Sequence, residues 1–281
     1  MMARIILGLG RFLFAWLLCW FAFPSHAAAP AEAPIRIGVT VSLSGKYEGP
    51  GTAELEGLQI WVDDVNARGA LLGRKVELVF HDDQSDAEMS AKLYERLIVQ
   101  DKVDLLVGPY SSELTLIASG IAERHNFPMV AAGAASSVIW EQGFNNIFQI
   151  DAGAATYMHL PLRFAKQQGL SRIALLHAES EFPQEVVAGA RKEAAALGLS
   201  IVFDESYPLG TANFSRLVER VQAAGPEVVL GGTYLDDSIA LMRQAKLSGL
   251  SPKLIAFTVG PALPEFGEVL GEDAEAVSYT H

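Results

Sequence analysis

A regular alternation most constrains the fold of this chain. Short apolar runs rich in β-branched residues alternate with longer amphipathic stretches from residue 35 onward. Ile35–Val41 has the composition of a strand, and residues 54–67 place Leu55, Leu58 and Val62 on one helical face. Strands that alternate with helices of roughly 10–15 residues predict right-handed crossovers and parallel sheets.

The same pattern continues along the chain. Further strands are predicted at 75–80, 103–107, 129–132, 147–150, 172–176, 200–204, 228–231 and 253–257, and further helices at 86–99, 112–125, 155–168, 184–197, 214–223 and 236–247. One sheet with so many parallel strands would be unusually wide. We therefore predict an α/β protein with two doubly wound, Rossmann-like parallel-sheet lobes joined by a hinge, 35–150 and 151–273.

The N-terminal segment has the organisation of a secretory signal peptide. Residues 12–23 form an unbroken apolar run, preceded by Arg4 and Arg11 and followed by small residues. A membrane-spanning helix needs roughly 20 apolar residues, so this run is short for one. We predict a signal peptide over 1–27, cleaved near Ala27–Ala29, a linker over 28–34, and a periplasmic mature protein. A retained N-terminal anchor is the alternative.

Cysteine content and charge exclude several functions. The only cysteine, Cys19, lies in the predicted signal peptide, and Leu18 before it argues against a lipid anchor. The mature chain therefore has no disulfide and no cysteine metal site. The formal net charge of the chain is −12, and no cluster of Lys and Arg offsets it. Such a charge repels phosphate backbones, so nucleic acid is excluded as a main partner.

The predicted topology also directs attention to particular loops. In parallel α/β sheets, ligands bind beyond the carboxyl ends of the strands, and the cleft between two such lobes is the default site. The first loop, 42–51, carries Tyr47 among several glycines. It contains neither of the phosphate-binding motifs GxGxxG and GxxxxGK(S/T). We therefore interpret it as a loop that closes over a small ligand or as an ordinary strand-to-helix turn.

The loop before the predicted helix 112–125 contains Tyr110, Ser111 and Ser112. The first amides of a helix are unpaired, and together with serine hydroxyls they can hold a carboxylate without a formal positive charge. A plain serine N-cap is the alternative interpretation.

The remaining candidates come from both predicted lobes. Gly133 and Ser136 lie in a loop of small residues that lets a ligand approach the backbone, although a tight packing turn explains them as well. Phe182 and Tyr234 are candidates for the apolar wall of a pocket. Two aspartates after Tyr234, Asp236 and Asp237, are interpreted either as partners of a ligand ammonium or as helix caps.

Catalytic and metal-binding motifs find little support in the sequence. The chain contains neither the GxSxG nor the HExxH motif. His81 beside Asp82 and Asp83 is the densest polar cluster, and a solvated loop is its default interpretation. We therefore predict a protein that is not an enzyme and that needs no cofactor and no metal.

Several segments together resemble one family. They are residues 66–86 (NARGALLGRKVELVFHDDQSD), 101–104 (DKVD) followed by Gly108, Pro109 and Ser112, 127–130 (FPMV) and 244–249 (QAKLSG). In combination they are similar to the type I periplasmic binding proteins of the leucine/isoleucine/valine-binding, or Leu-binding-domain, family. The resemblance implies two lobes that close over an amino acid or related small molecule, and docking of the loaded monomer on an inner-membrane ABC-type permease. A ligand-sensing module of a signalling system, with the same fold, is the alternative function.

The resemblance also implies roles for individual residues. Ser112 matches the serine that binds the ligand carboxylate, Phe182 an aromatic that packs on the ligand, and Tyr234 lies in the loop that helps to close the pocket. Two departures concern the ligand. Ala135 stands where a threonine is common, with Ser136 as the alternative hydroxyl, and residues 258–261 lack the acid expected for an α-ammonium. An amide or an aromatic acid is therefore an alternative to an amino acid.

Family members usually continue beyond the length of this chain. We therefore expect a C-terminally truncated sequence with the first lobe incomplete, in which residues 274–281 begin the return crossover to that lobe. A naturally short chain whose first lobe lacks part of its cover is the alternative. Such a truncation predicts an exposed apolar sheet face.

Overall fold

The structure is a computed structural model, and it describes residues 33–279. The predicted signal peptide, 1–27, lies outside the described residues, as does most of the predicted linker. Between residues 33 and 279, no helix is both long enough and apolar enough to cross a membrane.

Ten strands and nine α-helices alternate along the described part of the chain. The strands are β1 (Ile35–Val41), β2 (Val76–Asp82), β3 (Leu105–Val107), β4 (Met129–Ala131), β5 (Ile147–Gln149), β6 (Arg172–Ala178), β7 (Ser200–Tyr207), β8 (Val228–Gly232), β9 (Leu254–Phe257) and β10 (Val277–Tyr279). The helices are α1 (Glu48–Ala67), α2 (Ala87–Val99), α3 (Ser112–Arg124), α4 (Val138–Glu141), α5 (His159–Gln167), α6 (Glu181–Leu197), α7 (Ser215–Ala224), α8 (Leu235–Ser248) and α9 (Pro264–Leu270). Short 3₁₀ turns occur at Ala154–Thr156, Gly260–Ala262 and Gly271–Ala276.

The strands form two five-stranded parallel sheets. Their orders are β2-β1-β3-β4-β5 and β10-β9-β8-β6-β7. In each sheet the chain adds one neighbour on one side of its first strand and then crosses to the other side. The predicted α/β class with two doubly wound parallel sheets is therefore confirmed. We refer to the two halves as the first and the second lobe, and the predicted division near residues 150–151 falls between β5 and β6.

The second sheet is covered on both of its faces. Ile173 and Leu175 of β6 pack under α5 and α6, whereas Ala174 and Leu176 point to the opposite face, under α7 and α8. All four side chains are buried. Strands of a parallel sheet that are buried on both faces form continuous apolar runs, and β6 has such a run.

One face of the first sheet is only partly covered. Helices α2 and α3 pack on one face, and α1 covers the other face over β1 and β2. Beyond α1, on that second face, Leu105, Val130 and Phe148 are 39%, 40% and 56% exposed. We name these three residues the open apolar face. An exposed apolar sheet face is thus found in the described residues, as the sequence predicts.

The last strand differs from its prediction. Residues 274–281 were expected to begin a return to the first lobe, but β10 pairs in parallel with β9, with Val277 opposite Ile255. The preceding segment explains this placement, because Phe266, Leu270 and Ala274 pack on the core of the second lobe. β10 is therefore one of the two edge strands of the second sheet, as described, with β7 at the other edge.

Candidate ligand-binding site

A cavity of about 520 Å³ lies between the carboxyl ends of the two sheets. This volume falls within the range of small-molecule sites, roughly 300–1,000 Å³. Loops after strands of both lobes line it, together with α1. The lining residues are Pro50, Ala53, Glu54, Gly57, Leu58, Tyr110, Ser111, Ser112, Ala132, Gly133, Ala134, Ala135, Asp151, Tyr157, Phe182, Tyr234, Thr258, Val259, Ala262 and Leu263.

The two serines at the start of α3 have different partners. Ser111 is the helix N-cap, and its Oγ accepts a hydrogen bond from the backbone N–H of Leu114 at 3.2 Å. Ser112 Oγ accepts from the backbone N–H groups of Ala135 and Ser136, at 3.2 and 3.1 Å. Two accepted bonds occupy the lone pairs of the Ser112 hydroxyl, so its proton remains to be donated. The cap interpretation therefore describes Ser111, and Ser112 is positioned as a hydrogen-bond donor.

Aromatic side chains form much of the remaining wall. The rings of Tyr157 and Phe182 meet edge to face with centroids 5.3 Å apart, and Phe182 lies 6.1 Å from Tyr234. The Tyr234 hydroxyl lies 3.2 Å from the Ser180 hydroxyl, which fixes this ring. Tyr110 joins the wall from the first lobe. The cavity is thus walled by aromatic side chains from both lobes.

Tyr47 lies behind the cavity and does not line it. Its ring is fully buried, with centroids 5.7 Å from Tyr110 and 5.3 Å from Tyr234. Its hydroxyl donates to Glu113 Oε2 at 2.8 Å. Burial raises the pKa of Tyr47. The structure therefore places this predicted site residue as a support between the two lobes.

Ser136 is also absent from the cavity lining. Its hydroxyl donates to Glu185 Oε2 at 2.6 Å, and the backbone N–H of Ser137 donates to the same oxygen at 2.7 Å. Glu185 belongs to α6 of the second lobe, so these bonds join the two lobes. We name this contact the interlobe clasp.

Two carboxyl groups that were not predicted from the sequence, those of Glu54 and Asp151, line the cavity. Both oxygens of Glu54 are inaccessible to solvent and have no hydrogen-bond partner. Burial raises the pKa of Glu54 to about 8; the backbone amide of Tyr110 lowers it, whereas the charges of Asp83 and Asp151 raise it further. Burial also raises the pKa of Asp151, while the backbone amide of Ala134 lowers it.

The start of α1 explains why Glu54 was missed. The sequence predicted a helix from residue 54, which made Glu54 an ordinary first-turn acid. In the structure α1 begins at Glu48, and Pro50 lies in its first turn, where proline is tolerated. Glu54 then lies in the second turn and faces the cavity. Gly133 leaves room for it, since a Cβ there would lie 3.1 Å from Glu54 Oε1.

The acidic residues near His81 stabilise a loop. Asp83 is buried and accepts the hydroxyl protons of Thr40 and Ser42, at 2.7 and 2.6 Å. His81 pairs instead with Asp101, with Nε2 and Oδ2 2.7 Å apart. Within the described residues, no group of three or more His, Cys, Asp and Glu side chains is arranged to hold a metal ion.

The aspartates after Tyr234 do not line the cavity. Asp237 is buried and accepts from the Tyr207 hydroxyl at 2.6 Å and from the backbone N–H of Tyr234 at 2.7 Å. Burial raises its pKa to about 6. This arrangement agrees with the helix-cap interpretation of Asp237, at the start of α8.

The chain is similar in sequence to one family of known proteins. A sequence profile described as periplasmic binding protein matches residues 34–280. The chain therefore belongs to the periplasmic binding protein family. Leu/Ile/Val-binding protein homolog 7 of Brucella suis is 28% identical over 262 residues, an alignment that covers 90% of this chain. The predicted resemblance to the leucine/isoleucine/valine-binding group is confirmed, and the chain spans about 65% of the length of that relative.

Solved structures share the fold. The leucine-binding protein LivK of Thermotoga maritima superposes with a TM-score of 0.78 at 23% sequence identity, covering 85% of this chain and 67% of that protein. A solute-binding protein of an ABC transporter from R. palustris, in complex with 4-hydroxybenzoate, gives a TM-score of 0.75 at 24% identity, covering 84% of this chain and 65% of that one. The predicted type I periplasmic binding protein fold is therefore confirmed.

Proposed function

We propose that this protein is the periplasmic solute-binding component of an ABC-type importer. In this proposal it captures an amino acid or a related carboxylate-bearing ligand between its lobes and delivers it, as a monomer, to an inner-membrane permease without chemical turnover. The observation that carries the proposal is the cavity between the two sheets, with Ser112 and the start of α3 at its polar side and aromatic rings around it.

The polar side suits a carboxylate. Ser112 retains a hydroxyl proton to donate, because its oxygen already accepts two backbone N–H groups. The N-terminus of α3 adds the positive end of the helix dipole and first-turn amides other than that of Leu114, which Ser111 caps. No Lys, Arg or His of the described residues lines the cavity, so these neutral donors would hold the carboxylate. Helix N-termini commonly bind anions in this way.

The position of the cavity suits capture by closure. Ser112 and Tyr110 belong to the first lobe, whereas Phe182 and Tyr234 belong to the second. A ligand that contacts residues of both lobes favours the closed arrangement, to the extent that it binds the closed arrangement more tightly than the open one. The support for transport, rather than for sensing, is the similarity to transporter components reported above.

A thermal-shift screen tests the proposal, with amino acids, amides and aromatic acids offered to the exported full chain. We expect at least one class to raise Tm, because a ligand that binds only the folded state stabilises it. Calorimetry on S112A should then show affinity reduced by about 1–3 kcal/mol, the usual cost of an unmade buried hydrogen bond.

The matched control is S119A. Ser119 is a buried serine of the same helix, and its hydroxyl donates to the Leu116 carbonyl, away from the cavity lining. We expect S119A to bind as the wild type does. A screen in which no class shifts Tm, or an S112A variant that binds as tightly as S119A, would count against the proposal.

A further inference from the structure

Glu54 is the most unusual polar side chain of the cavity. Among the residues that the structure describes, four have buried side-chain polar atoms without a hydrogen-bond partner: Glu54, Gln149, His177 and Thr233. Only Glu54 lines the cavity, and both of its oxygens are unpaired. Burial of a polar group without a partner costs free energy, and most such groups in folded proteins are paired. No group among residues 33–279 therefore pairs with this carboxyl group.

The surroundings of Glu54 indicate the charge of that partner. Asp151 brings a second carboxyl group to the same cavity, and its charge acts on Glu54. Within the described part of the chain, no Lys, Arg or His contributes to the lining. An anionic ligand without a compensating charge would add to this negative potential, whereas a cationic nitrogen would reduce it.

The aromatic wall favours the same partner. Tyr110, Phe182 and Tyr234 all line the cavity around these carboxyl groups. The faces of aromatic rings attract cations, with the largest effect where water is excluded. Acids together with aromatic rings therefore form a lining suited to an ammonium group.

We propose that the ligand carries a cationic nitrogen, and that Glu54 of α1, assisted by Asp151, binds it. This inference rests on the proposed capture function. It assigns the ammonium contact to the first lobe, whereas the family resemblance places the expected acid in residues 258–261 of the second. Thr258 and Val259 do line the cavity from there, but neither can carry a charge.

Binding of such a ligand is coupled to a proton. The pKa of Glu54 is raised to about 8, so its carboxyl group is mostly protonated at pH 7 without ligand. The titratable groups around it are Asp83, Asp151, Tyr94 and Tyr110, and the nearby backbone amide of Tyr110 lowers its pKa without forming a hydrogen bond of normal geometry to either oxygen. A cationic nitrogen favours the carboxylate, so up to about one proton leaves when the ligand binds at pH 7.

Calorimetry with matched ligands tests the inference. The probes are L-leucine and 4-methylpentanoate, L-phenylalanine and 3-phenylpropanoate, and 4-hydroxybenzoate. We expect at least one amino acid to bind the wild type about tenfold or more tightly than its counterpart without nitrogen, equivalent to about 1.4 kcal/mol. In E54Q most of this preference should disappear, while the affinity for the acid without nitrogen stays within about threefold.

E56Q is the matched control, because Glu56 is exposed on the same helix and does not line this cavity. It should retain the wild-type preference. Titrations in two buffers of different ionisation enthalpy give a second readout: the wild type and E56Q should release a proton at pH 7 on binding the amino acid, and E54Q should not. Thermal unfolding of both variants confirms that they are folded.

The outcomes separate the inference from the proposed function. If an acid without nitrogen binds the wild type more tightly than the amino acids do, or if E54Q keeps the preference, the inference is overturned while capture stands. If none of the five probes binds the wild type, the inference is also overturned, and the wider thermal-shift screen decides whether capture fails with it.

Discussion

The two lobes share one topology but differ in how they are covered and in what they bring to the cavity. The second lobe has a sheet that is buried on both faces, and it supplies Phe182 and Tyr234 to the wall of the cavity. The first lobe has a sheet with the open apolar face, and it supplies Ser112 and Glu54 to the cavity. The groups suited to recognition thus lie on the less covered lobe. We expect second-lobe substitutions to change stability or the affinity for every ligand, and first-lobe substitutions to change which ligand binds.

The largest expected effect is the difference in stability between two alanine substitutions, one at a glycine of each lobe. A Cβ at Gly189 of α6 would lie 1.9 Å from the carbonyl oxygen of Ala155, a backbone atom that cannot yield without moving the helix. We expect G189A to lose about 3 kcal/mol of unfolding free energy or more, or to fail to fold, because overpacking forces backbone shifts.

Gly120 of α3 is the first-lobe counterpart. A Cβ there meets nothing within 4 Å, and the residue lies inside a helix. G120A should therefore raise the free energy of unfolding by about 0.5–1 kcal/mol. Chemical denaturation of both variants measures the contrast, and equal stabilities of G189A and G120A would show that the second lobe is not the tightly packed one.

The next effect concerns stability against pH. The pKa of Glu54 is raised to about 8 in the folded protein from 4.5. The unfolded chain therefore releases its proton first, and the wild type loses stability as pH rises from about 4.5 to about 8. We expect Tm of the ligand-free wild type to fall relative to E54Q over this range by several degrees, at about 2–4 °C per kcal/mol.

The difference in Tm between the wild type and E54Q isolates the contribution of Glu54. Asp151 and Asp237 also have raised pKa values, but both proteins retain them. Thermal melts at several pH values measure the difference. Parallel curves for the wild type and E54Q would mean that Glu54 is not held in a desolvated site.

A smaller effect is expected from the second-lobe wall. Phe182→Leu keeps an apolar side chain but removes the ring contacts with Tyr157 and Tyr234. We expect affinity to fall about tenfold, or 1.4 kcal/mol, for every ligand that binds. Calorimetry with an amino acid and its counterpart without nitrogen should give the same ratio as in the wild type. A changed ratio would place selectivity on the second lobe and remove the contrast between the lobes.

The smallest effect is expected at the interlobe clasp. Glu185→Gln retains an oxygen that can accept from Ser136 and Ser137 but removes its charge. Hydrogen bonds to charged groups are stronger than neutral ones, so we expect the closed arrangement to lose about 0.5–1 kcal/mol. Affinity should fall a few-fold for all ligands alike. Small-angle scattering of the ligand-free protein should show a larger radius of gyration than the wild type, and an unchanged radius would show that the clasp does not hold the lobes.

Local patterns allowed most of the fold to be predicted. β1 has the predicted bounds, 35–41, because a short β-branched run is a local signal. Asp86 caps α2 as predicted, its Oδ1 accepting from the Met89 amide at 2.7 Å. The pairing of β10 was not predictable in this way, because which sheet edge a strand joins depends on distant packing.

The same limit applies to the candidate site. Tyr110, Ser111, Ser112, Gly133, Phe182 and Tyr234 line the cavity, since they follow the carboxyl ends of strands as predicted. Tyr47 and Ser136 lie in the same kind of loop, but their hydroxyls bond to Glu113 and Glu185, distant in sequence. Glu54 was missed because Pro50 and its neighbouring glycines resemble a loop, although they form the first turn of α1.

The interlobe clasp has a kinetic consequence. Because Glu185 bonds to Ser136 and Ser137 of the first lobe, the clasp resists separation of the two lobes. In the proposed capture by closure a ligand enters when the lobes part, so the association rate constant would be set by how often they part rather than by diffusion alone. The same contact slows departure, which lengthens the time that a captured molecule remains bound. Weakening the clasp should therefore raise both the association and the dissociation rate constants of the ligand. Rapid-mixing kinetics would show that these rate constants change more than the modest loss of affinity suggests.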